Sequence, residues 1–157
     1  ILTPARRKEY YKRPDATKEF FWRDPDGNEW GCTGDVGYVD QDGFLFVEGR
    51  ATDYFTTKSG EKIYNFDIEN VILEVDGVYQ CEVVGRKQPD GYEEAFAFII
   101  FSEKANKDKV LSEVQRICKK RLKTEQIPVE FRVLDSFPVK PSGKRDMEKL
   151  IRIAAES

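Results

Sequence analysis

Apolar positions fall along this chain in two textures. Between residues 20 and 50 they come as short bursts of strand formers. Phe20-Phe-Trp22 and Glu29-Trp30 flank the turn Asp24-Pro-Asp-Gly27, and Val36-Gly-Tyr-Val39 and Phe44-Leu-Phe-Val47 flank Asp40-Gln-Asp-Gly43. Asp-Gly turns between β-prone arms predict hairpins, so this stretch reads as a small β-meander. Its apolar area is too small for it to stand alone. Residues 1–20 are polar, hold no sustained period and read as extended or loop.

From Ala51 the pattern lengthens. Tyr54-Phe55 and Lys62-Ile-Tyr64 predict a third hairpin with its tip at Ser59-Gly60. Asn65 can cap a helix with Ile68, Val71, Ile72 and Val75 on one face, ended by Asp76-Gly77. Strands follow at 78–85 and 95–101. The second, Ala95-Phe-Ala-Phe-Ile-Ile-Phe101, is nearly all apolar and so predicts a central strand covered on both faces. A helix over 107–124 carries Val110, Val114, Ile117, Cys118 and Leu122, and Pro128 separates it from a strand at 129–134. A last helix begins near Asp146, with Met147, Leu150, Ile151 and Ala154 at helical spacing. The fold class is therefore α+β: a β-meander stub, then a compact domain with a three-stranded sheet, a hairpin and about three helices. The boundary falls near Gly49–Thr52.

Composition narrows the chemistry more than the fold. The 157 residues are 39% hydrophobic and 35% charged, with a net charge of −3 and acids and bases interspersed. That balance speaks against a nucleic-acid binder, and the cluster Arg116, Lys119, Lys120, Arg121, Lys123 reads as a solvated helix face. No apolar run approaches a membrane span. The cysteines, Cys32, Cys81 and Cys118, are odd in number and widely spaced, which predicts a reducing compartment, no disulfide frame and no metal site. With no histidine, Ser-His and Cys-His nucleophile schemes are excluded, and any chemistry runs on lysine, arginine, carboxylates and backbone groups.

Three residues stand where such chemistry could sit. In Pro138-Val-Lys-Pro-Ser-Gly-Lys144, prolines pin the backbone while Ser142 and Gly143 let it bend, which puts Lys144 on a loop as a flexible point charge. Asp35 and Arg50 fall at strand ends, where a carboxylate can accept from vicinal hydroxyls and a guanidinium can grip phosphate or ribose oxygens. Taken singly, each is equally an ordinary turn aspartate, surface arginine or loop lysine.

Taken in order, the motifs are more telling. Trp30-Gly-Cys-Thr-Gly-Asp35, Gly37-Tyr-Val-Asp-Gln-Asp-Gly43, Gly49-Arg-Ala-Thr-Asp53, Ser59-Gly-Glu-Lys-Ile63, Asp67-Ile-Glu69 and Pro138–Lys144 succeed one another as they do in adenylate-forming enzymes. The chain resembles the last part of that superfamily, which includes acyl-CoA synthetases, peptide-synthetase adenylation domains and firefly luciferase. The resemblance implies that residues 1–50 end a large N-terminal domain and that 51–157 are a small mobile C-terminal domain. It implies an acyl-adenylate made from a carboxylic acid and ATP, then a thioester made as coenzyme A displaces AMP.

By the same resemblance Lys144 is the adenylation lysine, Asp35 binds the ribose hydroxyls and Arg50 contacts ribose or phosphate. Lys58, Ser59, Gly60 and Glu61 face the thiol, and Thr52 stands at the hinge, where Asp or Lys is common. Asn65 replaces a frequent proline and Lys140 a frequent threonine. No phosphate loop, acyl pocket or adenine segment is present. ATP, coenzyme A and the acid are thus expected to reach the chain through the N-terminal domain, with Mg2+ held there too, and the fragment alone is expected to be inactive. A cytoplasmic location is expected. The alternatives are an adenylation domain loading a carrier-protein thiol and a non-catalytic α+β interaction module. Lys58-Ser-Gly-Glu-Lys-Ile-Tyr favours coenzyme A over the carrier protein, and the joint presence of Asp35, Arg50 and Lys144 speaks against the interaction module.

Overall fold

A computed structural model describes residues 8–156. The chain divides into two compact units, Ile1–Thr52 and Asp53–Ser157.

The first unit opens with a helix that the sequence reading had as extended or loop: α1, Pro14–Phe20. Pro14 at the helix start supplies a preset φ and lacks only an N–H that would have no helical partner. Thr17 Oγ1 donates to the Arg13 carbonyl and accepts from the Tyr10 N–H, each at 2.9 Å. Seven residues are too few to display a helical period, which is why the pattern did not reveal it. Residues 1–7 of the same expectation lie outside the described residues.

Then come β1 (Phe21–Arg23) paired with β2 (Glu29–Gly31), and β3 (Asp35–Val39) paired with β4 (Leu45–Arg50), both antiparallel. The expected run of hairpins is present, as two separate ladders. Asp24 holds the first turn by accepting from Trp30 Nε1 at 2.8 Å and from the Asn28 N–H at 2.8 Å. The Trp30 bond, then one donated by the Asn28 side-chain amide at 3.0 Å, lowers its pKa. The second ladder changes register between Val36 and Gly37, where Glu48 is the extra residue. Gly37 is required there, because a Cβ would stand 2.1 Å from the Phe46 carbonyl oxygen.

In the second unit, β5 (Tyr54–Thr56) and β6 (Lys62–Tyr64) form the third hairpin, and β6 runs straight into α2 (Asn65–Leu73). The N-cap is Tyr64, in extended conformation. Asn65, expected to cap, is the first helical residue, and its Oδ1 is buried without a hydrogen bond. With no linker between strand and helix, the last strand residue takes the cap position.

Next are β7 (Val78–Lys87), β8 (Glu93–Phe101), α3 (Lys107–Arg121), β9 (Glu130–Val133) and α4 (Met147–Ala155). α3 stops short of the expected 124, and a single 3-10 turn, Thr124–Gln126, follows. The sheet order is β7-β8-β9, antiparallel then parallel, with α3 as the crossover.

β8 is the central strand and divides its side chains between two cores. Ala95, Ala97, Ile99 and Phe101 pack with Ile68 and Ile72 of α2 and Val114 and Cys118 of α3. Phe96 and Phe98 pack with Val84, Phe137, Leu150 and Ala154 on the other face. Each fully buried Phe or Ile contributes about 1.5–3 kcal/mol by leaving water, and that accounts for a strand with no polar face. Ile151, counted with the α4 face by its spacing, is exposed.

Candidate functional site

The first unit brings two of the expected site residues together. Asp35 and Arg50 are cross-strand partners at the open end of the β3–β4 hairpin, with Arg50 Nη1 3.1 Å from Asp35 Oδ1. The bulge makes this possible. Gly37 faces Val47, so a regular ladder would put Gly49 opposite Asp35, and the extra Glu48 advances Arg50 into that place. Arg50 Nη1 also donates to the Thr33 carbonyl at 2.8 Å, and Gly34, at φ +79°, turns the chain beneath it. Both side chains remain exposed. A pair so open adds little stability, so what it provides is a carboxylate and a guanidinium fixed side by side. Thr52, the expected hinge, is the last residue of this unit.

Lys144 lies in the second unit, on a closed hairpin between β9 and α4. The Lys140 N–H donates to the Lys144 carbonyl at 2.7 Å, Gly143 N–H to the Lys140 carbonyl at 2.8 Å, and Asp146 N–H to the Pro138 carbonyl at 2.8 Å. Gly143 is at φ +77°, and Val139 bridges Arg145. Both neighbouring cations are occupied. Lys140 Nζ donates to Glu148 Oε1 at 2.8 Å, a bond that raises its pKa together with the Glu148 charge. Arg145 pairs with Glu82 of β7 and lies 4.7 Å over the Phe137 ring. The Lys144 ammonium is exposed and has no partner among the described residues. Three cations look alike in the sequence here, and the fold leaves one of them free.

The turn between β5 and β6 carries Lys58, Ser59, Gly60 and Glu61. Its base is anchored by Phe55 and Ile63, 1% and 3% exposed, and by buried Thr57. Gly60 turns the tip at φ +84°. Ser59 Oγ donates to Glu125 Oε2 at 2.8 Å, and Lys123 Nζ lies 3.0 Å from Glu61 Oε1. Lys58 lies 5.7 Å over the Tyr92 ring, at the side of an open cleft of about 330 Å³ lined by Thr57, Glu93, Ile127 and Val129 as well.

Several supporting residues gave no sequence signal. Glu82, Glu125 and Arg145 are ordinary charged residues until the fold pairs them at long range. Cys81 and Cys118 are buried thiols whose pKa values burial pushes up, Cys118 to about 11, so neither is a thiolate nucleophile at neutral pH. Arg116, Arg121 and Lys123 of the basic cluster pair with Glu113, Glu74 and Glu61, as expected of a solvated face. Among the described residues no group of three or more His, Cys, Asp or Glu is placed to hold a metal ion, and no helix is long and apolar enough to cross a membrane.

A family model described as the AMP-binding enzyme C-terminal domain matches residues 67–144. Over 145 residues the chain is 35% identical to the sulfoacetate–CoA ligase of Cupriavidus necator, covering 92% of this chain and 27% of that protein. It is 34% identical over 144 residues to the fatty acid–acyl-carrier-protein ligase ScoC of Streptomyces coeruleorubidus, covering 92% and 26%. The amide bond synthetase McbA of Marinactinospora thermotolerans superposes with a TM-score of 0.73 at 27% identity, over 92% of this chain and 28% of that one. The chain thus spans about a quarter of the length of the curated relatives it matches.

Proposed function

The chain belongs to the adenylate-forming enzymes through their AMP-binding C-terminal domain, and from that membership we propose that it is the C-terminal part of an ATP-dependent acid–thiol ligase. In this reading residues 1–50 end the large N-terminal domain and 51–157 form the mobile C-terminal domain, with the hinge at Thr52. The acid, ATP with its Mg2+, and coenzyme A are bound with the preceding N-terminal domain in the cytoplasm, and this chain completes the site.

In the first step a carboxylate oxygen of the acid bonds to the α-phosphorus of ATP, and pyrophosphate leaves with the electron pair. Lys144 places its ammonium between the carboxylate and the α-phosphate, where charge concentrates as the bond forms. Asp35 accepts from the ribose hydroxyls, and Arg50 contacts ribose or phosphate oxygens. In the second step the thiol sulfur attacks the acyl carbon, AMP departs with the electrons of the carbon–oxygen bond, and the thiol proton passes to solvent. The turn Lys58–Glu61 lies along the thiol's approach. The observation that carries the reading is the free Lys144 ammonium, held on a stapled hairpin while Lys140 and Arg145 beside it are both engaged.

A carrier-protein thiol as acceptor is the second reading, and the likeness to ScoC favours it. The test uses the intact enzyme that contains this chain, wild type against Lys144→Ala. ATP–pyrophosphate exchange is measured over a panel of acids, and thioester formation is measured from pre-made acyl-adenylate with coenzyme A or a phosphopantetheinylated carrier. Exchange is expected to fall by about 10²- to 10³-fold while thioester formation persists, and the preferred thiol names the acceptor. Exchange that survives the substitution returns the loop to an ordinary surface hairpin and leaves the non-catalytic module standing.

A further inference from the structure

The turn at 57–61 is held in two different ways. Its base is fixed by the core: Phe55 and Ile63 are buried, and Phe55 packs so closely on β7 that a Cβ on Gly85 would stand 2.5 Å from Phe55 Cβ. Its tip carries no buried side chain. Lys58, Ser59, Gly60 and Glu61 are all exposed, and the tip meets the rest of the unit through polar side chains. Most of those contacts converge on one short segment, residues 123–126.

The Glu125 carboxylate accepts from Ser59 twice, from Oγ at 2.8 Å and from the backbone N–H at 3.4 Å. Ser59 Oγ is also 2.9 Å from Thr57 Oγ1, which itself donates to the Glu61 carbonyl at 3.3 Å. Lys123 Nζ donates to Glu61 Oε1 at 3.0 Å, gripping the other arm. The segment supplying both grips is tied by its own hydrogen bonds. Gln126 N–H donates to the Lys123 carbonyl at 2.9 Å, Lys123 N–H to Gln126 Oε1 at 3.0 Å, and Val129 N–H ties the following residues to the Ala95 carbonyl of β8 at 2.9 Å.

We propose that Glu125, assisted by Lys123, is a positioning residue for the thiol step: it acts through Ser59 to hold the 57–61 turn in the conformation that admits the thiol. This rests on the acid–thiol ligase reading above. The contacts are solvent-exposed, and exposed pairs contribute little to folding. Their effect is therefore on where the tip sits, which is the quantity that near-attack geometry depends on. Among the described residues the side-chain hydrogen bonds of Glu125 and Lys123 go to the 57–61 turn and not to the Lys144 hairpin, so the adenylation step is outside the clamp's reach.

The intact enzyme decides this with Glu125→Ala, Glu125→Gln, Ser59→Ala and the double variant Ser59→Ala/Glu125→Ala, each assayed for both half-reactions. Glu125→Ala is expected to lower kcat/KM for the thiol by about tenfold, with pyrophosphate exchange and melting temperature held at wild-type values. Glu125→Gln keeps an acceptor oxygen for Ser59 Oγ and is expected to recover most of the loss. Because the effect passes through Ser59, the double variant is expected to be no worse than the poorer single variant. Fully additive losses, or an equal fall in both half-reactions, overturn the clamp. So does Glu125→Ala with wild-type thiol kinetics. A wild-type enzyme that makes acyl-adenylate but no thioester removes the ligase reading, and the clamp with it.

Discussion

Glu69 Oε1 accepts a hydrogen bond from the backbone N–H of Val83 at 2.8 Å. Val83 lies on β7, an edge of the three-stranded sheet, so a carboxylate from α2 satisfies an outward donor of that strand. Burial raises the Glu69 pKa above 4.5, opposed in turn by the Val83 N–H and by the Arg145 charge. The folded state therefore holds this proton more tightly than the unfolded chain does. The contribution to stability is fully present below the ordinary carboxylate pKa and is lost as pH rises through the raised value. Glu69→Gln keeps the acceptor and removes the ionisation. In denaturant unfolding across a pH series it is expected to flatten the curve above pH 4.5 and to match or exceed wild type at neutral pH. Glu69→Ala leaves the Val83 donor unmet, at about 1–3 kcal/mol. A neutral-pH loss in the Gln variant as large as in the Ala variant would show that attraction to Arg145 outweighs desolvation.

Arg145 fastens the Lys144 hairpin to β7 through Glu82, whose side chain is only 14% exposed, and by lying over Phe137. Removing it leaves Lys144 present but loosely aimed. Arg145→Ala is expected to lower pyrophosphate exchange in the intact enzyme by about 10- to 100-fold, the range for displaced catalytic groups. Glu82→Ala is expected to act in the same direction. Exchange at the wild-type rate in both variants would mean that the hairpin's own backbone bonds suffice to aim the lysine.

The Asp35–Arg50 pair depends on a bulge, and this separates its role from either side chain alone. Deleting Val36 moves Asp35 into its place opposite Gly49, out of register with Arg50. In the intact enzyme the deletion is expected to raise KM for ATP at least as much as Arg50→Ala does, by about tenfold for a lost charge-assisted contact. An unchanged KM in the deletion would show that the pair's register is immaterial to nucleotide binding.

Local chemistry made most of the fold legible. Asp24-Pro-Asp-Gly27, Asp40-Gln-Asp-Gly43 and Ser59-Gly60 announced turns because few other residues allow them, and Ala95–Phe101 announced a central strand because no face of it tolerates water. The missed features are those set by few residues or distant ones. α1 is too short to show a period. The bulge needs one extra residue that no periodicity marks, and Tyr64 became the cap only because β6 and α2 abut. At the candidate site, Asp35, Arg50 and Lys144 were visible as motif residues. That Arg50 stands opposite Asp35, that Arg145 is engaged beside a free Lys144, and that Glu125 reaches Ser59 across 66 positions are tertiary facts.

Gly85 joins stability and function in one position. Its backbone is not in the left-handed region, so the reason for glycine is space: an added Cβ would meet Phe55 Cβ at 2.5 Å, Glu93 Cδ at 3.1 Å and Glu93 Cβ at 3.2 Å. Phe55 anchors the base of the 57–61 turn, and Glu93 Oε2 accepts from the Thr56 N–H at 3.2 Å, so both displaced groups support the same hairpin. Gly85→Ala is expected to destabilise the chain by about 1–3 kcal/mol, as overpacking does. In the intact enzyme below its melting temperature it is expected to slow thioester formation more than pyrophosphate exchange, because the Lys144 hairpin is anchored elsewhere on β7, at Glu82. Denaturant unfolding measures the first effect and the paired half-reaction assays the second. Equal slowing of both steps would mean that β7 itself shifts. An unaltered thiol step in a destabilised protein would mean that the hairpin base can move without moving its tip.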